Sequence, residues 1–288
     1  MIGCINLLKP AGMTSSDMVV KARIILSKHY NQKIKVGHFG TLDPAGCGVL
    51  PIAVGNATRL FDYLMNKQKT YRATFVFGKT TDTLDSYGKI EQTCETEITA
   101  QQVQQIIPQF LGKINQIPPQ YSSVSVDGKR CYAQARKGVE VQIEPRVVQI
   151  FEIKLLNSAL NTFTFDITCS GGTYIRSIAR DMAQALNTVG YMSWIIRLKS
   201  GDFSIENAIT LDELESNIEG SLVPISEVLK SFKSYDAPKN LQSFIKNGVK
   251  ILVDFTMDNQ PFVVKFDGEI YGIAKVTQNK LIMEALLC

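Results

Sequence analysis

At 288 residues, 45% hydrophobic and 20% charged, the chain can bury a sizeable core, which excludes a disordered chain and predicts one large domain or one large plus one small. Lys and Arg outnumber Asp and Glu by only 31 to 27, a formal charge of +4, so a polyanion partner has to be met by locally clustered basic residues. The six cysteines (Cys4, Cys47, Cys94, Cys131, Cys169, Cys288) never take the C-x-x-C spacing of zinc or dithiol chemistry, which predicts a reduced cytoplasmic protein.

The start, Met1 to Pro10, lacks the basic opening and the long apolar run of a signal peptide, and no stretch reaches the roughly 20 apolar residues of a membrane helix. Ile2 to Leu8 predicts a short buried strand, stopped by Lys9-Pro10-Ala11-Gly12. Thr14, Ser15, Ser16 and Asp17 are ready N-caps for a helix over Met18 to Leu26, whose Val19, Val20, Ala22, Ile24, Ile25 and Leu26 are expected against the core. A glycine-rich loop from Gly37 to Gly48 leads to a strand at Val49 to Val54 and a helix at Thr58 to Met65. Tyr71 to Phe77 then alternates with the period of a strand buried on one face.

Ile98 to Leu111 is helix-like, and Pro118 to Arg146, polar and basic, predicts a projecting arm or long ordered loop. Val147 to Leu156 and Thr162 to Cys169 read as paired strands. After Gly171-Gly172 comes a helix over Tyr174 to Leu186, with Ile175, Ile178, Ala179, Met182 and Leu186 inward. Turn-rich sequence from Ser231 to Asn240 predicts a boundary. Beyond it, Gly248 to Phe255, Pro261 to Phe266, Ile270 to Val276 and Lys280 to Leu287 are short strands punctuated by Asn259, Asp267-Gly268 and Asn279, a small β module. Strands and helices mix without a strict βαβ rhythm, which predicts an α+β fold around a mixed, largely antiparallel sheet and not a doubly wound one.

No phosphate loop, dinucleotide fingerprint or H-E-x-x-H pattern occurs, and His29 and His38 are too few for the usual catalytic metal sites. Asp82 and Asp85, near Gly88, lack the calcium-loop pattern and read as a solvated turn. What remains is Gly37-His38-Phe39-Gly40-Thr41-Leu42-Asp43-Pro44-Ala45-Gly46-Cys47-Gly48, where glycines let the backbone approach a ligand. Aspartate before proline is also common in ordinary turns, so local chemistry leaves Asp43 open between turn residue and nucleophile. Arg176 in Gly172-Thr173-Tyr174-Ile175-Arg176 falls in the first turn of a helix, where the dipole opposes a cation. A surface salt bridge and a catalytic partner both remain open for it.

Taken together, GHFGTLDP with GVLP downstream, KPAGMTSSD near the start, Tyr71-Arg72 opening a strand, GKTTDTLDSYG, GTYIRSIARD and the late RLKSGDF resemble the ordered motifs of TruB-type tRNA pseudouridine synthases, from Gly3 to Phe203. The resemblance implies the pseudouridine synthase fold and isomerisation of uridine to pseudouridine in the T-loop of tRNA, position 55, with no metal or organic cofactor. It implies Asp43 as nucleophile, Arg176 as the cation that complements and orients it, and Tyr71 as the tyrosine stacked on the target base and a candidate for assisting proton removal. Tyr174 and Ile195 match residues lining the uracil pocket, although a core role suits Ile195 nearly as well, and Tyr71 alone would read as a strand aromatic. His38 matches a histidine that holds the flipped nucleotide, and Lys9-Pro10 is expected to support the loop.

Lys129, Arg130, Arg136, Lys137 and Arg146, interleaved with Tyr121 and Tyr132, match the family's RNA-clasping insertion, at about 118–146 here. Residues 1–233 would form the catalytic domain and 234–288 a shortened PUA-like β module. Phe39, Leu8 and Ser125 depart from the family pattern, where threonine, Asp or Asn, and lysine are common; none removes a catalytic group. The partner implied is the T-arm stem-loop of tRNA, with no membrane and no obligate protein partner. Alternatives are the same chemistry on another RNA, or a non-catalytic RNA-binding or tRNA-folding module.

Overall fold

The computed structural model describes residues 2–65, 67–254 and 260–287. Strand β1 (Gly3–Lys9) is buried along nearly its whole length and ends at Pro10. Helix α1 (Ser15–His29) opens on a capping box between Thr14 and Asp17 and turns Ser15, Met18, Ala22 and Leu26 inward. Val20 and Ile24, expected in the core, are 42% and 60% exposed. Seven apolar positions among the nine residues from Met18 to Leu26 exceed the width of one buried helical face, so part of the set has to face outward.

The glycine-rich segment enters through β2 (Val36–His38) and leaves through β3 (Cys47–Val54). The helix expected at Thr58 to Met65 is a 3₁₀ turn, Gly55–Leu60, running into α2 (Phe61–Met65). Strand β4 (Lys69–Phe77) alternates strictly: Lys69, Tyr71, Ala73, Phe75 and Phe77 are buried. A hairpin of β5 (Lys79–Thr81) and β6 (Ile90–Thr93) follows. Then come α3 (Ala100–Ile106), capped by Thr99, and β7 (Gly112–Gln116). The arm holds β8 (Ser125–Val126), β9 (Lys129–Arg130) and α4 (Cys131–Ala135), and is otherwise irregular. The chain continues through β10 (Arg146–Ala159), β11 (Thr162–Cys169), α5 (Ile175–Ala185), β12 (Gly190–Ser200) and β13 (Phe203–Ser204).

Among the described residues nine strands form one sheet in the order β1-β3-β12-β4-β11-β10-β7, with β2 on β3 and β13 on β12. Every pairing is antiparallel except β3 with β12, as the expected mixed, largely antiparallel sheet requires. Helix α5 covers the sheet with Ile178, Ala179, Met182 and Ala183, against Phe75, Phe77, Phe163 and Phe165 in one buried cluster. Ring centroids 5.0 Å apart in Phe75–Phe165 and 5.4 Å in Phe77–Phe163 add to area burial by about 1 kcal/mol each. That packing fixes the start of α5 over the middle of the sheet.

The C-terminal part is a second sheet, β14 (Ser234–Asp236), β15 (Ile251–Leu252), β16 (Phe262–Phe266), β17 (Glu269–Thr277) and β18 (Lys280–Leu286), in the order β14-β16-β17-β18-β15. The strand expected over Gly248 to Phe255 is only Ile251–Leu252; Phe255 and Asn259, like Met1 and Cys288, lie outside the described residues. Val263, Ile273, Ala285 and Leu287 of this sheet share a buried cluster with Cys4, Phe39, Ala53 and Leu60 of the main body. Among the described residues no helix is long and apolar enough to cross a membrane.

Candidate active site

The loop between β2 and β3 has its backbone fastened at almost every step around Asp43. Ser15 Oγ, at the start of α1, accepts from Leu42 N at 2.8 Å and donates to Leu42 O at 3.0 Å. Gly46 N donates to Asp43 O at 3.0 Å, closing a turn, and Gly12 N donates to Pro44 O at 2.8 Å. Lys9, fully buried, donates from Nζ to Gly46 O at 2.5 Å and to Pro10 O at 2.9 Å. Lys9 therefore supports the loop, as expected. Burial lowers its pKa to about 8, and a neutral amine still donates to both carbonyls.

Gly48 has a second, steric reason. It sits at φ 106°, and a Cβ there would meet Arg197 O at 2.3 Å. Only glycine lets β3 lie this close to β12. Ile195 closes the same side: a Cβ on Gly46 would stand 3.2 Å from its Cγ2.

Asp43 projects from this rigid loop with its side chain 37% exposed, while the Arg176 side chain is only 4% exposed. Arg176 Nη2 lies 2.8 Å from Asp43 Oδ2. The guanidinium also donates to Thr83 O at 2.8 Å and to Tyr121 O at 3.0 Å, and stands 3.7 Å from Asp85 Oδ2. Such a cation, placed where the helix dipole opposes it, is held by carboxylates and carbonyls from three separate segments. Asp85 corrects the sequence reading. It is 7% exposed, accepts from Thr83 Oγ1 at 2.6 Å and from Tyr87 N at 3.0 Å, and faces Arg176 instead of solvent.

Tyr71 is 7% exposed on the inner face of β4 and shares a cluster with Leu42 and Ile195. It pairs in register with Arg197. Burial pushes its phenol above the ordinary value, partly opposed by the Arg197 guanidinium. Arg197, which the sequence marks only as the start of the RLKSGDF motif, is fully buried and donates to Val49 O at 2.7 Å and Gly40 O at 3.2 Å. Lys69, two residues before Tyr71, is buried too, and burial lowers its pKa to about 8. The signal for Lys69 was a charged residue in phase with the apolar face of β4; Arg197, in a strand whose alternation is broken by register shifts, offered no such signal.

Tyr174 is the N-cap residue of α5. Its ring lies 4.4 Å from the Arg146 guanidinium. His38 lies at the end of β2, half-buried; burial, aided by Arg197, holds its imidazole below the ordinary value. Lys129, Arg130, Arg136 and Lys137 are exposed on the arm, Arg136 over the Tyr132 ring at 5.6 Å. Arg146 differs from them: it opens β10, half-buried, beside the site. Of the residues expected in the site, the fold brings Asp43 against Arg176 and packs Tyr71 in one cluster with Leu42 and Ile195. Tyr174 stands two residues before Arg176, and of the arm Tyr121 reaches Arg176 through its carbonyl while Lys129, Arg130, Arg136 and Lys137 stand exposed.

Residues 27–175 match the model of the TruB family pseudouridylate synthase N-terminal domain. The chain is 41% identical over 259 residues to tRNA pseudouridine synthase B of Caldanaerobacter subterraneus, covering 89% of this chain and 88% of that protein. It is 38% identical over 284 residues to tRNA pseudouridine synthase B of Clostridium tetani, covering 96% of each. A chain in the solved structure of a Cbf5-Nop10-Gar1 complex shares the fold, with a TM-score of 0.75 and 22% identity over 99% of this chain and 85% of that one. A matched family model over half the sequence, and relatives this similar over nearly their whole length, establish that the chain belongs to the TruB family of tRNA pseudouridine synthases, which isomerise uridine to pseudouridine in tRNA.

Proposed function

We propose that the target is the T-loop uridine at position 55 of tRNA, and that Asp43 is the nucleophile. The observation that carries this reading is the 2.8 Å pair of a half-exposed Asp43 with a buried Arg176, set in a loop whose backbone cannot drift. A carboxylate reachable from outside, with its charge matched from behind and its position fixed, is preorganised to attack. Asp43 bonds transiently to ribose C1′ or to uracil C6, and that bond is broken again before release; overall the N1–C1′ bond breaks, C5 bonds to C1′ and loses its hydrogen, and N1 gains one. Atoms balance without a cosubstrate, and the reading assigns the chemistry to side chains alone.

The uridine has to leave its stack to reach Asp43, at a cost of a few kcal/mol that RNA contacts offset. Tyr71 offers its ring to the flipped base, with Tyr174 and Ile195 lining the uracil pocket. Because burial pushes the Tyr71 phenol up, it assists proton removal as a neutral hydroxyl relay and not as a standing phenolate. His38, neutral at physiological pH, contacts the nucleotide. Lys129, Arg130, Arg136 and Lys137 meet phosphates of the T-arm. Residues 1–233 act as the catalytic domain and 234–288 as a PUA-like RNA-binding module. The five free thiols among the described residues suit a reducing cytoplasm.

The test is a bare T-arm hairpin incubated with the purified chain alone and assayed by mass-based pseudouridine detection. Conversion at the position-55 uridine is expected. Conversion only of other RNAs, or only with added protein partners, would contradict the assignment.

A further inference from the structure

Arg146 and Gln116 face each other across the sheet: they are register partners in β10 and β7. Both reach the same residue. Gln116, fully buried, accepts from Tyr174 N through Oε1 at 2.8 Å and donates through Nε2 to Tyr174 O at 3.1 Å. Arg146 lays its guanidinium 4.4 Å over the Tyr174 ring and donates to the carbonyl of Gly172. One strand pair thus holds Tyr174 by backbone and by ring.

Tyr174 is the N-cap of α5, two residues before Arg176, so its backbone sets where the first turn begins. Fixing Tyr174 therefore fixes both a wall of the uracil pocket and the starting point of the arginine that orients Asp43. Arg146 also departs from the pattern of a phosphate contact. Its Nε is buried without a hydrogen-bond partner among the described residues, and the planar face of its guanidinium is engaged by an aromatic ring.

We propose that Gln116 and Arg146 form a positioning clamp for Tyr174, and that Arg146 serves the chemical step through Tyr174 instead of gripping an RNA phosphate. The clamp rests on the reading of Asp43, Tyr174 and Arg176 as the active site. Lysine at 146 keeps the charge but loses the planar face and the directed bond to Gly172, so Arg146→Lys separates the two roles.

The experiment compares the full chain with Arg146→Lys, Gln116→Glu, Tyr174→Leu and the Arg146→Lys/Tyr174→Leu double variant on the T-arm hairpin, measuring tRNA Kd across a salt series and the single-turnover rate at saturating enzyme. Arg146→Lys is expected to slow turnover about tenfold or more, with Kd within about twofold and an unchanged slope of log Kd against log salt. In the Tyr174→Leu background it should cost little further rate, because its route of action is gone. Gln116→Glu, which keeps the acceptor but removes the donor to Tyr174 O, should likewise lower the rate more than the affinity. Thermal unfolding screens each variant for folding; Arg146→Lys, at a half-buried site, carries the test alone if Gln116→Glu fails to fold. A wild-type rate for Arg146→Lys, or an equal loss with and without Tyr174, would overturn the clamp. Activity surviving Asp43→Asn would instead overturn the reading of the site itself.

Discussion

Arg176 has four polar neighbours, and only one of them is Asp43. Removing the Asp43 charge leaves the guanidinium with Asp85, Thr83 O and Tyr121 O, so the cation is not stranded and Asp43→Asn should fold. Removing Asp85 leaves Arg176 bound at its other contacts but free to swing, so Asp85→Asn should slow single-turnover isomerisation about tenfold or more while tRNA Kd stays within about threefold. Equal rates in the two proteins would show that the 3.7 Å approach does nothing. Gly48→Ala tests the steric side of the loop. With φ at 106° and a Cβ 2.3 Å from Arg197 O, it should cost more than about 3 kcal/mol in denaturant unfolding. At this scale the Asp43–Arg176 pair was legible, because both residues sit in motifs whose order carries information. Asp85 was not. Its burial arises only when the turn between β5 and β6 meets α5, a contact 91 residues away in sequence that local composition reads as a solvated turn.

Among the elements, β1, β4, β11 and α5 follow directly from hydrophobic periodicity, whereas β12, near the middle of the main sheet, was not foreseen. Two register shifts, at Met192/Trp194 and Arg197/Lys199, break its alternation, and a fully buried Arg197 interrupts its apolar face. A bulge moves every later side chain to the opposite face, so a period-two pattern cannot survive it. The join between α1 and the loop is equally hidden in sequence, since Ser15 reads only as a helix cap. Ser15→Ala leaves Leu42 N–H and C=O unpaired in a buried place and should destabilise the chain by about 2–4 kcal/mol, lowering activity by loosening the loop. Lys69 gives β4 a pH signature. Its pKa falls from 10.5 to about 8 because burial disfavours the ammonium. Below pH 8 the folded state bears the cost of that buried charge. Between about 8 and 10.5 the unfolded chain holds the proton and the folded chain does not, so this group's contribution to stability rises with pH. Thermal unfolding of Lys69→Met should therefore show a flatter profile from pH 8 to 10 than the parent chain; parallel profiles would contradict the assignment.

For the molecule as a whole, the α+β class and the two-sheet plan were readable, because turn residues and short alternating runs mark a second β module. How the sheets meet was not readable. Phe39, standing where the family commonly has threonine, shares one buried cluster with Val263, Ile273 and Leu287, which ties the Asp43 loop to the C-terminal sheet. Phe39→Ala should lower stability by about 3–5 kcal/mol through the cavity it leaves. On the outer surface, Lys129, Arg130, Arg136 and Lys137 stand exposed on the arm. Replacing all four with glutamine should weaken tRNA binding and make log Kd less steep in log salt by about 3, leaving the rate at saturating enzyme nearly unchanged. On the proposed reading binding and chemistry separate in space, and the central claim is that chemistry begins at Asp43. The most direct measurement is single-turnover pseudouridine formation on tRNA by Asp43→Asn, with tRNA affinity determined in parallel. The account predicts affinity within about threefold of the parent chain and no product; pseudouridine formed at the parent rate would contradict it.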